Sequence, residues 1–333
     1  MISPSQKLNQ KIFDRDVEQV PIRHGFGKGL LSAGEADTRI VGLCADLTES
    51  TQMHLFAKKF PERFIEIGIA EQNLASVASG MSAMGKIPFI TSYAMFSPGR
   101  NWEQIRTTIC YNDRKVVIAG SHAGISVGPD GGTHQAVEDI AITRVIPNMV
   151  VISPCDAIEA EKATRACAQT PHPTYIRLAR EKTPLITTAE TPFEIGKAQT
   201  YFEPVVGKAE VAIIATGALL HKALLAARDL EKQKIGVKVI NLATIKPLDE
   251  KAISALAREC GAFVTVEEHQ ISGGMGSAVA ECSARLHPVP IEFVGVHNLF
   301  GQSGTPSELI EHYKMGETHI QEAVLKVLKR KNK

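Results

Sequence analysis

Three short segments of this 333-residue chain bring together residue types that can do chemistry. Gly120 to Gln135 holds five glycines, two histidines (His122 and His134) and Asp130 in sixteen positions. Fixing so many glycines costs backbone entropy, so this is no ordinary connection but a loop shaped for a site, with imidazole and carboxylate groups for hydrogen bonding and proton transfer. The second segment, Glu66 to Asn73, runs from a strand-like piece into a helical pattern and places Glu71 in the first turn. A carboxylate there complements the helix dipole by ~0.3–1 kcal/mol, so its position alone does not require catalysis. The third, Pro88 to Phe96, ends an apolar run with Tyr93 and Phe96, aromatics whose usual fate is core packing.

These segments need a frame. From Thr38 to Arg180, apolar runs alternate with helix-like stretches. Residues 39–43, 64–67, 87–90, 115–118, 149–152 and 174–177 read as strands, several of them apolar throughout, as in a sheet covered on both faces. Between them, Glu71 to Met84 has helical apolar spacing, and Asp156 to Ala168 does too, with Asp156 as N-terminal cap. Residues 181–207 break the rhythm with Pro184, Pro192 and Pro204, and strands at 211–214, 237–240, 263–266 and 291–294 follow, with helices starting near Ala218, Asp249, Gly274 and Pro306. The expectation is two α/β units with mostly parallel sheets and helices on both faces: a first domain at 15–186, a linker at 187–207 and a second domain at 208–330.

Composition narrows the function classes. Hydrophobic residues are 44% and charged residues 22% of the chain, with a net charge of +1, so no basic face for nucleic acid is expected. The longest apolar runs, such as Val211 to Ala215, fall far short of the ~20 residues that span a bilayer. Met1 to Lys7 lacks the pattern of a secretory signal, so a cytoplasmic location is the expectation, with a poorly ordered first dozen residues. The six cysteines (44, 110, 155, 167, 260 and 282) form no C-x-x-C pair and read as buried reduced thiols rather than a zinc or disulfide framework.

In this order, the three segments resemble the pyrimidine-binding domain of transketolases. Ala45 to Ser50, Ile146 to Met149, Tyr175 to Arg180, Ile245 to Asp249 and Val266 to His269 resemble transketolase stretches as well, so the likeness runs from about Val20 to Leu328. It implies a thiamine-diphosphate-binding fold of the pyrimidine type followed by a transketolase C-terminal domain. It further implies that Glu71 hydrogen-bonds a ring nitrogen of the cofactor's aminopyrimidine and relays a proton there, favouring the imino tautomer. Tyr93 and Phe96 match positions that pack on the pyrimidine; the third aromatic of longer transketolases falls at Gly99 or is displaced to Trp102. Asp46 matches an aspartate that completes the cofactor site between subunits, although its ordinary reading is a turn residue. Asp130 and His134 match groups that hydrogen-bond the sugar, and Arg23, Ser50, His122 and Arg180 match the set that holds the distal phosphate, for which a guanidinium fork is suited. Ala123 and Gln72 stand where some long transketolases carry an acid and a histidine.

The likeness also exposes a gap. Thiamine diphosphate enzymes hold Mg2+ and the diphosphate on a Gly-Asp-Gly segment with a downstream asparagine, and no Gly-Asp-Gly occurs here. Gly273 to Gly276 reads instead as a close helix start. The chain therefore resembles the C-terminal half of a split transketolase, with no metal ligands of its own and Mg2+ held mainly by an N-terminal partner subunit, in an α2β2 assembly that transfers a two-carbon ketol group between sugar phosphates. The alternatives are the β subunit of a 2-oxo acid dehydrogenase, a deoxyxylulose-phosphate-synthase-like enzyme and a catalytically silent partner subunit. Glu267, Glu268 and His269 read as strand-end polar residues, because neighbours on a strand point to opposite faces and do not converge on a metal.

Overall fold

The structure is a computed structural model that describes residues 1–332. Its first half runs β1 (Gln19–Pro21), α1 (Ile22–Ala36), β2 (Ile40–Cys44), α2 (His54–Lys59), β3 (Phe64–Glu66), α3 (Glu71–Ala83), β4 (Ile87–Tyr93), α4 (Trp102–Gln104), β5 (Val117–Ser121), α5 (Asp139–Arg144), β6 (Val150–Ile152), α6 (Ala157–Cys167), β7 (Thr174–Arg177) and β8 (Lys182–Pro184). The second half runs β9 (Gln199–Phe202), β10 (Val211–Ala215), α7 (Leu220–Lys232), β11 (Val237–Asn241), β12 (Thr244–Lys246), α8 (Glu250–Cys260), β13 (Phe263–Gln270), α9 (Met275–Leu286), β14 (Ile291–Val296), α10 (Pro306–His312) and α11 (Glu317–Lys331).

A seven-stranded sheet has the order β12-β6-β7-β5-β4-β2-β3 and a five-stranded sheet the order β14-β13-β10-β11-β9. Both are parallel except at one edge, β12 on β6 and β9 on β11. The fold is α/β with helices on both faces of each sheet, and this explains the uniformly apolar strands. Val41, Leu43, Ile90 and Ile118 face α3, whereas Ile40, Cys44, Phe89 and Val117 face α1 and α6. The core on the α3 side continues without a break into the second sheet through Ile214, Phe263 and Val279.

Asp156 caps α6 as its sequence position requires, accepting from the Glu159 amide at 2.8 Å. Helix α1 was not foreseen, because glycine is a poor helix former. Its glycines instead permit a close crossing: a Cβ at Gly29 would lie 2.7 Å from the Glu161 carbonyl oxygen and from Thr164 Cβ on α6.

Three further features depart from the sequence reading. The first dozen residues are ordered against the second unit, with Leu8 and Ile12 buried in the core beside Val211 and Leu220; apolar side chains at this spacing find a face to cover. Strand β12, from the second half, is the edge of the first sheet, pairing Thr244 with Ile152. The segment expected to link the domains, 187–207, is built into the fold: the Asp156 carboxylate accepts from the Ile186 and Thr187 amides at 2.8 and 2.6 Å, and β9 completes the second sheet. Among the described residues, no helix is long and apolar enough to cross a membrane.

Candidate active site

The carboxyl ends of β5, β4, β2 and β3 lie side by side, and each releases one of the segments picked out in the sequence. This is the edge where parallel α/β sheets gather ligands. Because β4 and β5 are in register with Tyr93 opposite Ser121, Tyr93 meets His122 as each strand ends. Their rings stack with centroids 3.8 Å apart and 24° between planes. Tyr93 also stacks with Phe96 at 6.2 Å, and His134 stands edge-on to both, 6.2 and 5.5 Å away.

Glu71 is the first residue of α3, and its side chain is 2% exposed. Oε2 pairs with Arg100 Nη1 at 2.7 Å, while Asn101 Nδ2 donates to the Glu71 carbonyl at 2.9 Å. The Arg100 guanidinium also lies 4.8 Å from the Phe96 ring centroid, so it joins the carboxylate to the aromatic cluster. Sequence reasoning missed Arg100, although a cation four residues beyond an aromatic was a usable signal.

His122, in a left-handed conformation at φ 56°, accepts at Nε2 from Arg23 Nη1 at 2.7 Å. Nδ1 must then carry the proton, and it donates to Ser121 Oγ at 2.9 Å. Burial, followed by Arg23, Arg180 and His134, pushes this imidazole down to about 3, so it stays neutral. Burial and then Arg180 lower the Arg23 pKa as well, and Arg23 Nε is buried without a partner. Two neighbouring guanidiniums, one with an unsatisfied donor, make a site of anion affinity. Arg180 itself donates to the Val127 carbonyl at 2.7 Å.

Arg23, Tyr93, Phe96, His122 and His134 are thus gathered, with Arg180 beside them and Glu71 attached through Arg100. Asp46, Ser50 and Asp130 form no hydrogen bond or ion pair with that group among the described residues. Asp46 is exposed, with φ 56°, and its amide donates to Glu66 Oε1 at 2.7 Å. Glu66 also accepts from Gly68 N at 2.9 Å and Thr48 Oγ1 at 2.8 Å, tying the loops after β2 and β3 together. Neither Gly99 nor Trp102 adds a ring to the cluster. A Cβ at Gly99 would strike the Met95 backbone, and Trp102 Nε1 donates to the Ile142 carbonyl at 2.6 Å while the ring packs on the core.

Glu267, Glu268 and His269 lie at the carboxyl end of β13, where the sequence reading puts them. All three are buried, because β13 runs on to Gln270 under cover of the first sheet's helices and loops. They do point apart. Glu267 accepts from the Met275 and Gly276 amides at 2.6 and 2.8 Å, which starts α9 close by, and burial raises its carboxyl to about 7. Glu268 accepts from the Ser126 amide in the glycine-rich loop. His269 Nε2 accepts from the Ala141 amide at 3.3 Å, and burial pushes the ring down to about 4. Beneath them, Arg177 pairs with Asp139 at 2.8 Å; burial alone would raise that carboxyl, but Arg177 and then His269 hold it below its usual value.

These residues fit one part of thiamine diphosphate. A buried carboxylate whose arginine partner lies over Phe96, a ring stacked in turn on Tyr93, suits an aminopyrimidine. Among the described residues, no group of three or more His, Cys, Asp or Glu is brought together for a cation.

Similarity to known proteins agrees with this geometry. Residues 18–185 match the family "Transketolase, pyrimidine binding domain" and residues 201–320 match "Transketolase, C-terminal domain". The chain is 38% identical to the 6-deoxy-6-sulfo-D-fructose transketolase subunit SqwH of a Clostridium species, with 98% of this chain and 99% of that protein covered. Human transketolase is 35% identical over 96% of this chain but only 50% of its own length. A solved structure described as "Split gene transketolase, inactive beta4 tetramer" superimposes with a TM-score of 0.86 at 42% identity, covering 94% of this chain and 99% of that one. Two family domains in succession, with full-length matches to separate transketolase subunits, mean that this chain belongs to the transketolase family, as a split subunit carrying its pyrimidine-binding and C-terminal domains.

Proposed function

We propose that this chain is the pyrimidine-binding half of a two-subunit, thiamine-diphosphate-dependent transketolase that moves a two-carbon ketol group from a ketose phosphate to an aldose phosphate. The observation that carries the reading is the Glu71 carboxylate: 2% exposed, and held at Oε2 by Arg100, whose guanidinium also lies over the Phe96 ring. When bound, thiamine diphosphate supplies the carbon nucleophile and the electron sink for breaking and making the bond next to a carbonyl.

The chain's own residues bind and orient. Arg100 takes Oε2 of Glu71 and leaves Oε1 to share a proton with the pyrimidine ring nitrogen. Tyr93 and Phe96 pack on the pyrimidine and keep water from it. Arg23 and Arg180, with His122 and Ser50, hold the distal phosphate; neutral His122 orients the Arg23 guanidinium through Nε2. Asp130 hydrogen-bonds an acceptor hydroxyl, and His134 the donor's terminal hydroxyl and carbonyl. Asp46 completes the cofactor site from this side of the boundary. Mg2+ and the diphosphate are held by the partner subunit, with two copies of each chain.

The test is reconstitution. With Mg2+ and thiamine diphosphate, the chain alone is expected to give no ketol transfer, and adding a partner that carries Gly-Asp-Gly is expected to restore it. Tight cofactor binding and turnover by the chain alone would overturn the reading.

A further inference from the structure

The glycine-rich loop is held from outside its own domain. Glu268, 3% exposed on β13, accepts from the Ser126 amide at Oε1. Gly124, at φ 93°, makes room for that carboxylate: a Cβ there would stand 2.5 Å from Oε1. Farther along, a Cβ at Gly132 would lie 2.6 Å from the Gly301 carbonyl oxygen, and Gln135 Nε2 donates to the Gln302 carbonyl at 2.9 Å. On its other side the loop presents the Val127 carbonyl to Arg180. The main chain of β13 is itself fixed, because Arg177 Nη2 donates to the Glu268 carbonyl at 2.8 Å and to the Ala136 carbonyl at 3.3 Å. A carboxylate on a backbone amide, out of water, is a stronger anchor than a neutral acceptor.

We propose that Glu268 is a positioning residue supplied by the second domain: it holds the glycine-rich loop, and through the Val127 carbonyl the Arg180 guanidinium, in the arrangement that engages a sugar phosphate. The proposal rests on the reading of Asp130, His134 and Arg180 as sugar-phosphate ligands. It gives the second domain a part in the site even though none of its side chains need touch the substrate.

The test uses the chain assembled with its diphosphate-binding partner, and the free chain for a second measurement. Glu268→Ala is expected to lower kcat/KM for a phosphorylated ketose by about 10- to 100-fold, the scale of a misplacement of about 1 Å. It should also shrink the preference for that ketose over its unphosphorylated form, which general loss of folded enzyme would leave alone. Glu268→Gln keeps an oxygen for the Ser126 amide and is expected to recover most of both. Gly124→Ala reaches the same contact from the loop, so its loss and that of Glu268→Ala should be less than additive in the double variant. In the free chain, hydrogen exchange across residues 120–136 should accelerate in Glu268→Ala and return toward normal in Glu268→Gln. An unchanged phosphate preference, additive losses, or unchanged exchange would overturn the proposal; if Glu268→Ala does not fold, Gly124→Ala and Glu268→Gln decide it. Ketol transfer absent from the wild-type assembly would instead defeat the sugar-phosphate reading on which the proposal rests.

Discussion

Glu71→Gln separates chemistry from architecture, because it replaces one oxygen by an amide group at almost constant volume. The structural loss is bounded by the ion pair with Arg100, formed at 2.7 Å with the arginine side chain 48% exposed. A pair with one partner in water is worth about 0–1 kcal/mol, and the glutamine oxygen can still accept from Arg100. The thermal midpoint should therefore fall by no more than about 2–4 °C. The chemical loss is larger. Proton transfer by a positioned side chain contributes about 10²–10⁴-fold, which is ~2.7–5.4 kcal/mol at 1.36 kcal/mol per tenfold. Turnover should thus collapse in a complex that still assembles. The assay is ketol transfer by the assembled subunits at saturating cofactor, beside a thermal scan of the same sample. Turnover within tenfold of the wild type would refute the reasoning, as would a loss that simply tracks unfolding.

Arg177→Ala should destabilise the chain by about 3–5 kcal/mol, because it strands the buried Asp139 carboxylate and two buried carbonyls; a denaturant titration showing less than about 1 kcal/mol would contradict this. Gly29→Ala should lower stability by about 1–3 kcal/mol, although alanine is the better helix former, because the methyl group meets Glu161 and Thr164 across the crossing of α1 and α6; a stabilised variant in the same titration would show that the helices can part. Glu159 and Glu267, raised by burial to about 7, keep protons that the unfolded chain releases above about 4.3, so they make stability fall as pH rises toward 7. His122 and His269, lowered by burial to about 3 and about 4, work in the opposite sense up to about 6.5. The two pairs offset each other between about pH 4.5 and 6.5, so Glu159→Gln should turn a nearly flat profile of thermal midpoint into one that rises with pH; a profile that stays flat counts against the offset.

How much of this was legible in the sequence depended on the range of the forces involved. Strands β2, β4 and β10 were readable because burial on both faces leaves a run of apolar residues. Helix α1 was not, because its glycines are selected by the approach of α6 and not by local propensity. The edge strands β9 and β12 are short and pair with partners that only the assembled fold supplies. At the site, the likeness to transketolases picked out the residues that now cluster around Tyr93 and His122. It did not supply Arg100 or Glu66, whose positions follow from the turn after β4 and from the register that sets Cys44 beside Glu66.

Glu267, Glu268 and His269 show where a correct local argument stopped short of the environment. Alternation along a strand does send neighbouring side chains apart, and for that reason they do not converge on a cation. The same alternation lets each of them serve a different part of the junction: Glu267 the start of α9, Glu268 the loop at Ser126, His269 the main chain of α5 at Ala141. What was missing was the cover provided by the first domain, which turns a polar strand end into a buried one. An unpaired buried polar group costs free energy, so the hydrogen bonds of this run help to set how the two domains meet. Because the glycine-rich loop is one of the groups so satisfied, the shape of the site depends on the domain junction as directly as on the sheet from which its residues emerge.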